Sequence, residues 1–116
     1  MAEPTLVQIF GTGTTRLASG ATAASAGLFI PDSALTAAGL ATPTTATAEG
    51  HLVALLLAAK TYLTQTNFDA NTDQSILITD GYSSFVTRGT TNYRQDQITV
   101  SLAKVDSSST IDPDNY

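Results

Sequence analysis

The residues with the sharpest chemical spacing are Asp69, Asn71 and Asp73. A D-x-N-x-D run supplies alternate oxygen ligands to calcium, and Asp80 stands at the twelfth position of such a loop. Gln74 occupies the sixth position, where the loop needs glycine, and Ser75 to Thr79 reads as a strand rather than an exiting helix. The segment is therefore read as an Asx-rich turn, with calcium binding by Asp69, Asn71, Asp73 and Asp80 as the alternative. His51 is the only histidine and the chain has no cysteine, so neither a thiolate site nor a histidine pair is available for a metal. No Gly-x-Ser-x-Gly elbow orients a nucleophile toward His51, and no catalytic group or cofactor is assigned. Gly11 to Arg16 has the glycines of an anion-cradling loop but lacks a Lys-Ser/Thr pair and a long helix after it. Tyr82 and Tyr93 offer aromatic faces for a ligand such as a carbohydrate.

Arginine chemistry points in another direction. Arg16, Arg88 and Arg94 are three of the five cations in a chain of net charge −5, and each guanidinium can hold a carboxylate bidentately. Asp106, Asp112 and Asp114 lie together near the C-terminus. We expect Arg16, Arg88, Arg94, Asp112, Asp114 and Tyr116 to act as subunit contacts, within the chain or on a neighbouring copy.

These groups must be carried by elements, and the clearest is helical. Leu52, Leu55, Leu56, Ala59, Tyr62 and Leu63 follow the spacing of one helical face and predict a helix over about 47–66. Thr45 or Thr47 is its capping hydroxyl, and Asn67 its left-handed C-cap. Val53 and Leu57 widen the apolar surface, so more than one neighbour is expected to press on it. Thr5 to Phe10 and Gly27 to Ile30 read as strands, Asp32 to Ala38 as a single helical turn, and Thr14 to Ala26 as strand or loop. Ser75 to Thr79, an Asp80-Gly81 turn and Tyr82 to Arg88 read as a hairpin. Gly89 to Asn92 forms a second turn, and Tyr93 to Val105 the last strand, with Ile98, Val100 and Leu102 on one face. The expected fold is α+β: an antiparallel sheet of about five strands packed on one long amphipathic helix, as a single domain over 1–105 with an acidic polar tail over 106–116.

Composition narrows the function classes. The chain has 116 residues, of which 13% are charged, while Thr and Ala number 20 and 17. A surface of hydroxyls and methyls suits close packing against other chains. The acidic balance argues against a nucleic-acid partner. The longest apolar run, Leu52 to Ala59, is far below the ~20 residues of a membrane span. Met1-Ala2-Glu3-Pro4 has no basic region followed by an apolar one, so cytoplasmic production is expected.

The layout of the whole chain resembles the small virion structural proteins of tailed phages, those that decorate heads or build tails. The resemblance rests on a Thr/Ala-rich first half, one apolar helix over Ala48 to Gln65, and a β-rich second half over Ser75 to Val105. A polar end, Ile111-Asp112-Pro113-Asp114-Asn115-Tyr116, completes it. It implies a non-enzymatic protein that forms homo-oligomers and meets other virion proteins, located in the virion after assembly in the host cytoplasm. A small calcium- or carbohydrate-binding module is the alternative.

Overall fold

A computed structural model describes residues 3–104 and 110–116. Its first element turns on Thr5. The Thr5 hydroxyl accepts from the Gln8 N–H at 3.2 Å while the Gln8 side chain accepts from the Thr5 N–H at 2.9 Å. This reciprocal capping box starts helix α1, Leu6–Phe10, where a strand was expected. Alternation of Val7 and Ile9 favours a strand only weakly in so short a run, and two satisfied backbone donors outweigh it. Gly11, at φ 109°, ends the helix.

Helix α2, Asp32–Ala37, is the expected short turn, closed by Gly39 at φ 109°. Gly27 to Ile30, expected as a strand, has no regular structure and belongs to no sheet, and its side chains are exposed. Thr14 to Ala26 also lies outside regular structure, in keeping with its lack of bulky side chains.

Helix α3, Ala48–Tyr62, begins at Thr47, whose hydroxyl accepts from the Gly50 N–H at 3.0 Å. It stops short of residue 66 because Thr64 adopts an extended conformation and caps a new helix, α4, Gln65–Ala70, by accepting from the Asn67 N–H. Asn67 does not turn left-handed. Its Nδ2 instead donates to the Tyr62 carbonyl at 2.6 Å, which also accepts from the Thr64 N–H at 2.8 Å, so the end of α3 is closed from inside the next helix.

Strands β1, Ile76–Arg88, and β2, Thr91–Leu102, form one antiparallel two-stranded ribbon. The fold is thus α+β with four short helices and two long strands among the described residues. It is not a sheet of about five strands on one long helix. The expected turn at Asp80-Gly81 does not form: β1 runs straight through it. Asp80 pairs with Ile98 and Ser83 with Asp96, so Gly81 and Tyr82 together oppose Gln97 in a bulge. A Cβ on Gly81 would come within 3.0 Å of the Gln97 carbonyl oxygen and Cβ. Glycine marks a close backbone approach here rather than a hairpin end. The real turn is Gly89-Thr90, with Arg88 opposite Thr91 and the positive φ, 64°, on Gly89 alone, the type II′ pattern.

The chain divides into two compact units, Met1–Ala58 and Ala59–Tyr116, the boundary falling inside α3. In the first unit the buried side chains are Leu35, Pro43, Ala48, His51 and Ala54, so α3 buries a face of small residues and His51. Leu52, Val53 and Leu57 on its other sides are exposed. In the second unit Ile78 is the buried apolar anchor, and its N–H donates to the Leu63 carbonyl at 2.9 Å. Residues 110–116 carry a 3-10 turn, Pro113–Asn115. The start of the expected tail, 106–109 with Asp106, lies outside the described residues, as does Val105.

Candidate functional site

The calcium candidates do not converge. Asp69, on α4, accepts from the Gln65 side chain at 2.8 Å, and Asn71 accepts from the Asp73 N–H at 3.0 Å in an Asx turn. Asp80 lies on β1, in an ion pair with Lys60 of α3. A calcium loop needs all four side-chain oxygens around one point, and those of Asp69, Asn71 and Asp80 are engaged with three different partners. Among the described residues no three acidic, histidine or cysteine side chains are placed to hold a metal ion. Tyr82 and Tyr93 form no common platform either: Tyr93 is opposite Val86, four residues from Tyr82, or roughly 13 Å along the strand.

His51 belongs to a structural lock in the first unit. Its Nδ1 donates to the Thr47 carbonyl at 2.7 Å, which leaves Nε2 to accept from Nη2 of Arg16. Nη1 of the same guanidinium grips both oxygens of Asp32, at 2.8 and 3.1 Å. The chain Asp32–Arg16–His51 ties the loop after α1 to the start of α2 and the first turn of α3. Arg16 is thereby committed inside its own chain.

The β1–β2 ribbon offers a long exposed surface. Directly opposed residues share a face, so Ile76, Ile78, Ile98, Val100 and Leu102 lie on one face of its proximal half. Beyond the bulge that face becomes polar. The Ser83 hydroxyl donates to Asp96 at 2.7 Å, Arg94 Nε donates to the same carboxylate oxygen at 2.8 Å, and the Thr87 hydroxyl donates to Asn92 at 2.8 Å. The hydrogen bond from Ser83 and then that from Arg94 hold the Asp96 carboxyl below its ordinary value. Phe85 stands within this polar row.

The opposite face of the distal half carries Val86, Tyr93 and Arg88, whose guanidinium lies 5.6 Å from the centre of the Tyr93 ring. Every residue from Asp80 to Ala103 is exposed; Tyr82 and Phe85 reach 87% and 83%. Beyond the bulge the apolar residues are thus split between faces, Phe85 on the first and Val86 with Tyr93 on the other. In the proximal half Ile78 of β1 is buried while Ile98, Val100 and Leu102 of β2 are exposed; in the distal half both strands are exposed. Sequence reading singled out Arg88 and Arg94 but missed Phe85 and Val86. Phe85, a large aromatic set among Ser83, Ser84 and Thr87, was the available signal.

At the ribbon's base, Lys104 donates to the Thr110 carbonyl at 2.8 Å. Asp112 accepts from the Asp114 N–H at 3.1 Å, and Tyr116 is half-buried. Asn115 joins Phe68, Thr72, Gln74, Ser75, Ala103 and Lys104 around an open groove. Neither Arg88 nor Arg94 meets Asp112 or Asp114 among the described residues. No helix among the described residues is long and apolar enough to cross a membrane. No protein-family model, curated protein or solved structure matches the chain.

Proposed function

We propose that the protein is a non-enzymatic structural subunit, a virion component of the head-decorating or tail-building kind, that acts through contacts between subunits. The supporting observation is the distal half of the β1–β2 ribbon. It is exposed on both faces, carries two aromatic side chains more than four-fifths exposed, and has no third strand on either edge among the described residues. An isolated two-stranded ribbon is marginal in water, and open strand edges are templates for pairing with another chain. The small buried core of each unit points the same way, because exposed Leu52, Val53 and Leu57 on α3 leave a second apolar flank for a neighbour.

Light scattering across a concentration series, with negative-stain imaging of the same samples, tests the proposal. A ring, filament or defined oligomer is expected. A particle that stays at 12.0 kDa throughout would overturn it.

A further inference from the structure

Resting on that assembly reading, we infer that copies join head to tail, the Arg88–Tyr93 face at the ribbon tip of one copy receiving the acidic Ile111–Asp114 turn at the ribbon base of the next.

Three observations carry this contact. Charge is unevenly placed. Between Tyr82 and Asp96 the charged residues are Arg88, Arg94 and Asp96, so the tip is cationic in a chain of net charge −5. Arg94 is paired with Asp96, Arg16 with Asp32 and Lys60 with Asp80, while Lys104 donates to the Thr110 carbonyl. Arg88 has only the Tyr93 ring among the described residues. Its guanidinium donors are therefore presented beside an apolar patch of Val86 and Tyr93.

The base has the complementary character. Asp112 and Asp114 are exposed and in no ion pair among the described residues, and Ile111 beside them is 69% exposed. The cap from Asp112 to the Asp114 N–H and the ring of Pro113 pre-shape this turn, which lowers the ordering cost of docking. An Asp carboxylate suits the guanidinium fork, and Ile111 suits the Val86–Tyr93 patch.

Distance makes the contact intermolecular. Asn115 lines one groove with Ser75 and Lys104, and Lys104 is bonded to Thr110, at the opposite end of β1 from Arg88. Thirteen residues of strand separate the ends by roughly 40 Å, so a chain cannot fold its own turn onto its own tip. A tip-to-base contact uses two different patches and is heterologous. Repeated, it closes into a ring or runs on as a filament.

The test uses the full chain and two charge-reversed variants, R88E and D112K/D114K, each checked for unchanged circular dichroism. Each alone should need at least about tenfold higher concentration to assemble. Their equimolar mixture should recover to within about threefold of the parent, because each variant keeps one patch that fits the other. Arg88→Lys, which keeps the charge but not the fork, should fall between. If D112K/D114K assembles as the parent does, or the mixture stays dispersed, the head-to-tail contact is wrong although the assembly reading stands. If the parent itself never assembles, both are wrong.

Discussion

The two halves of one ribbon behave as different structures. From Ile76 to Asp80 the strand has helices against one face: Ile78 is 5% exposed, its N–H is bonded to Leu63, and Asp80 meets Lys60. From Tyr82 to Arg88 every residue of the same strand is exposed, with β2 paired along one edge. The backbone ladder is continuous on both sides of the bulge, so hydrogen bonding does not distinguish them. What differs is apolar burial, which supplies the net stabilisation of a sheet in water. The contrast lies along β1: its first residues are covered by their own chain, whereas its distal residues, like all of β2, are exposed and available to another.

Four experiments would break or sharpen that contrast. Ile78→Ala should have the largest effect, about 2–4 kcal/mol lost from the second unit, read by urea unfolding followed on the ribbon. A loss under about 0.5 kcal/mol would show that the proximal half is no better anchored than the distal one. Gly81→Ala, which sets a Cβ at 3.0 Å from Gln97, should cost about 1–3 kcal/mol and disturb the bulge where the halves meet. Backbone amide shifts confined to residues near 81 and 97 would confirm the location.

Replacing Tyr82 and Phe85 together by Ala should leave monomer unfolding within about 0.5 kcal/mol of the parent while raising the assembly midpoint about tenfold. A large drop in monomer stability would mean that these rings are already packed in the isolated chain. The smallest effect is at Asp96. Its carboxyl is held low by Ser83 and Arg94, so its contribution is complete above the ordinary carboxylate value of 3.8 and disappears as the pH falls below it through the lowered one. Proton resonances of Ser83 and Arg94 should therefore shift only at acid pH, and Asp96→Asn should abolish that step.

Local signals explain which elements were legible beforehand. Leucine spacing located α3, Thr47 its start, and the alternation of Ile98, Val100 and Leu102 the last strand. The Thr5–Gln8 capping box was also present in the sequence, but alternation of Val7 and Ile9 masked it. Asp80-Gly81 has the composition of a hairpin turn, yet a second Gly turn eight residues later, at Gly89, competes with it. Choosing between them requires knowing which backbone Gly81 must approach. For the candidate site, Arg88 and Arg94 were found as scarce cations, whereas the calcium spacing misled because Asp80 is on a strand paired to Lys60.

By itself, then, the sequence determined the acidic balance, the absence of thiol chemistry, one apolar helix and a β-rich second half, because composition and short periodicities act within a turn or two of backbone. Tertiary structure alone decided that α3 ends at Tyr62, that Arg16 is spent on Asp32 and His51, and that the ribbon's register shifts in a bulge at Gly81. Each of those outcomes depends on groups far apart in the chain competing for the same donor, the same carboxylate or the same few ångströms of space.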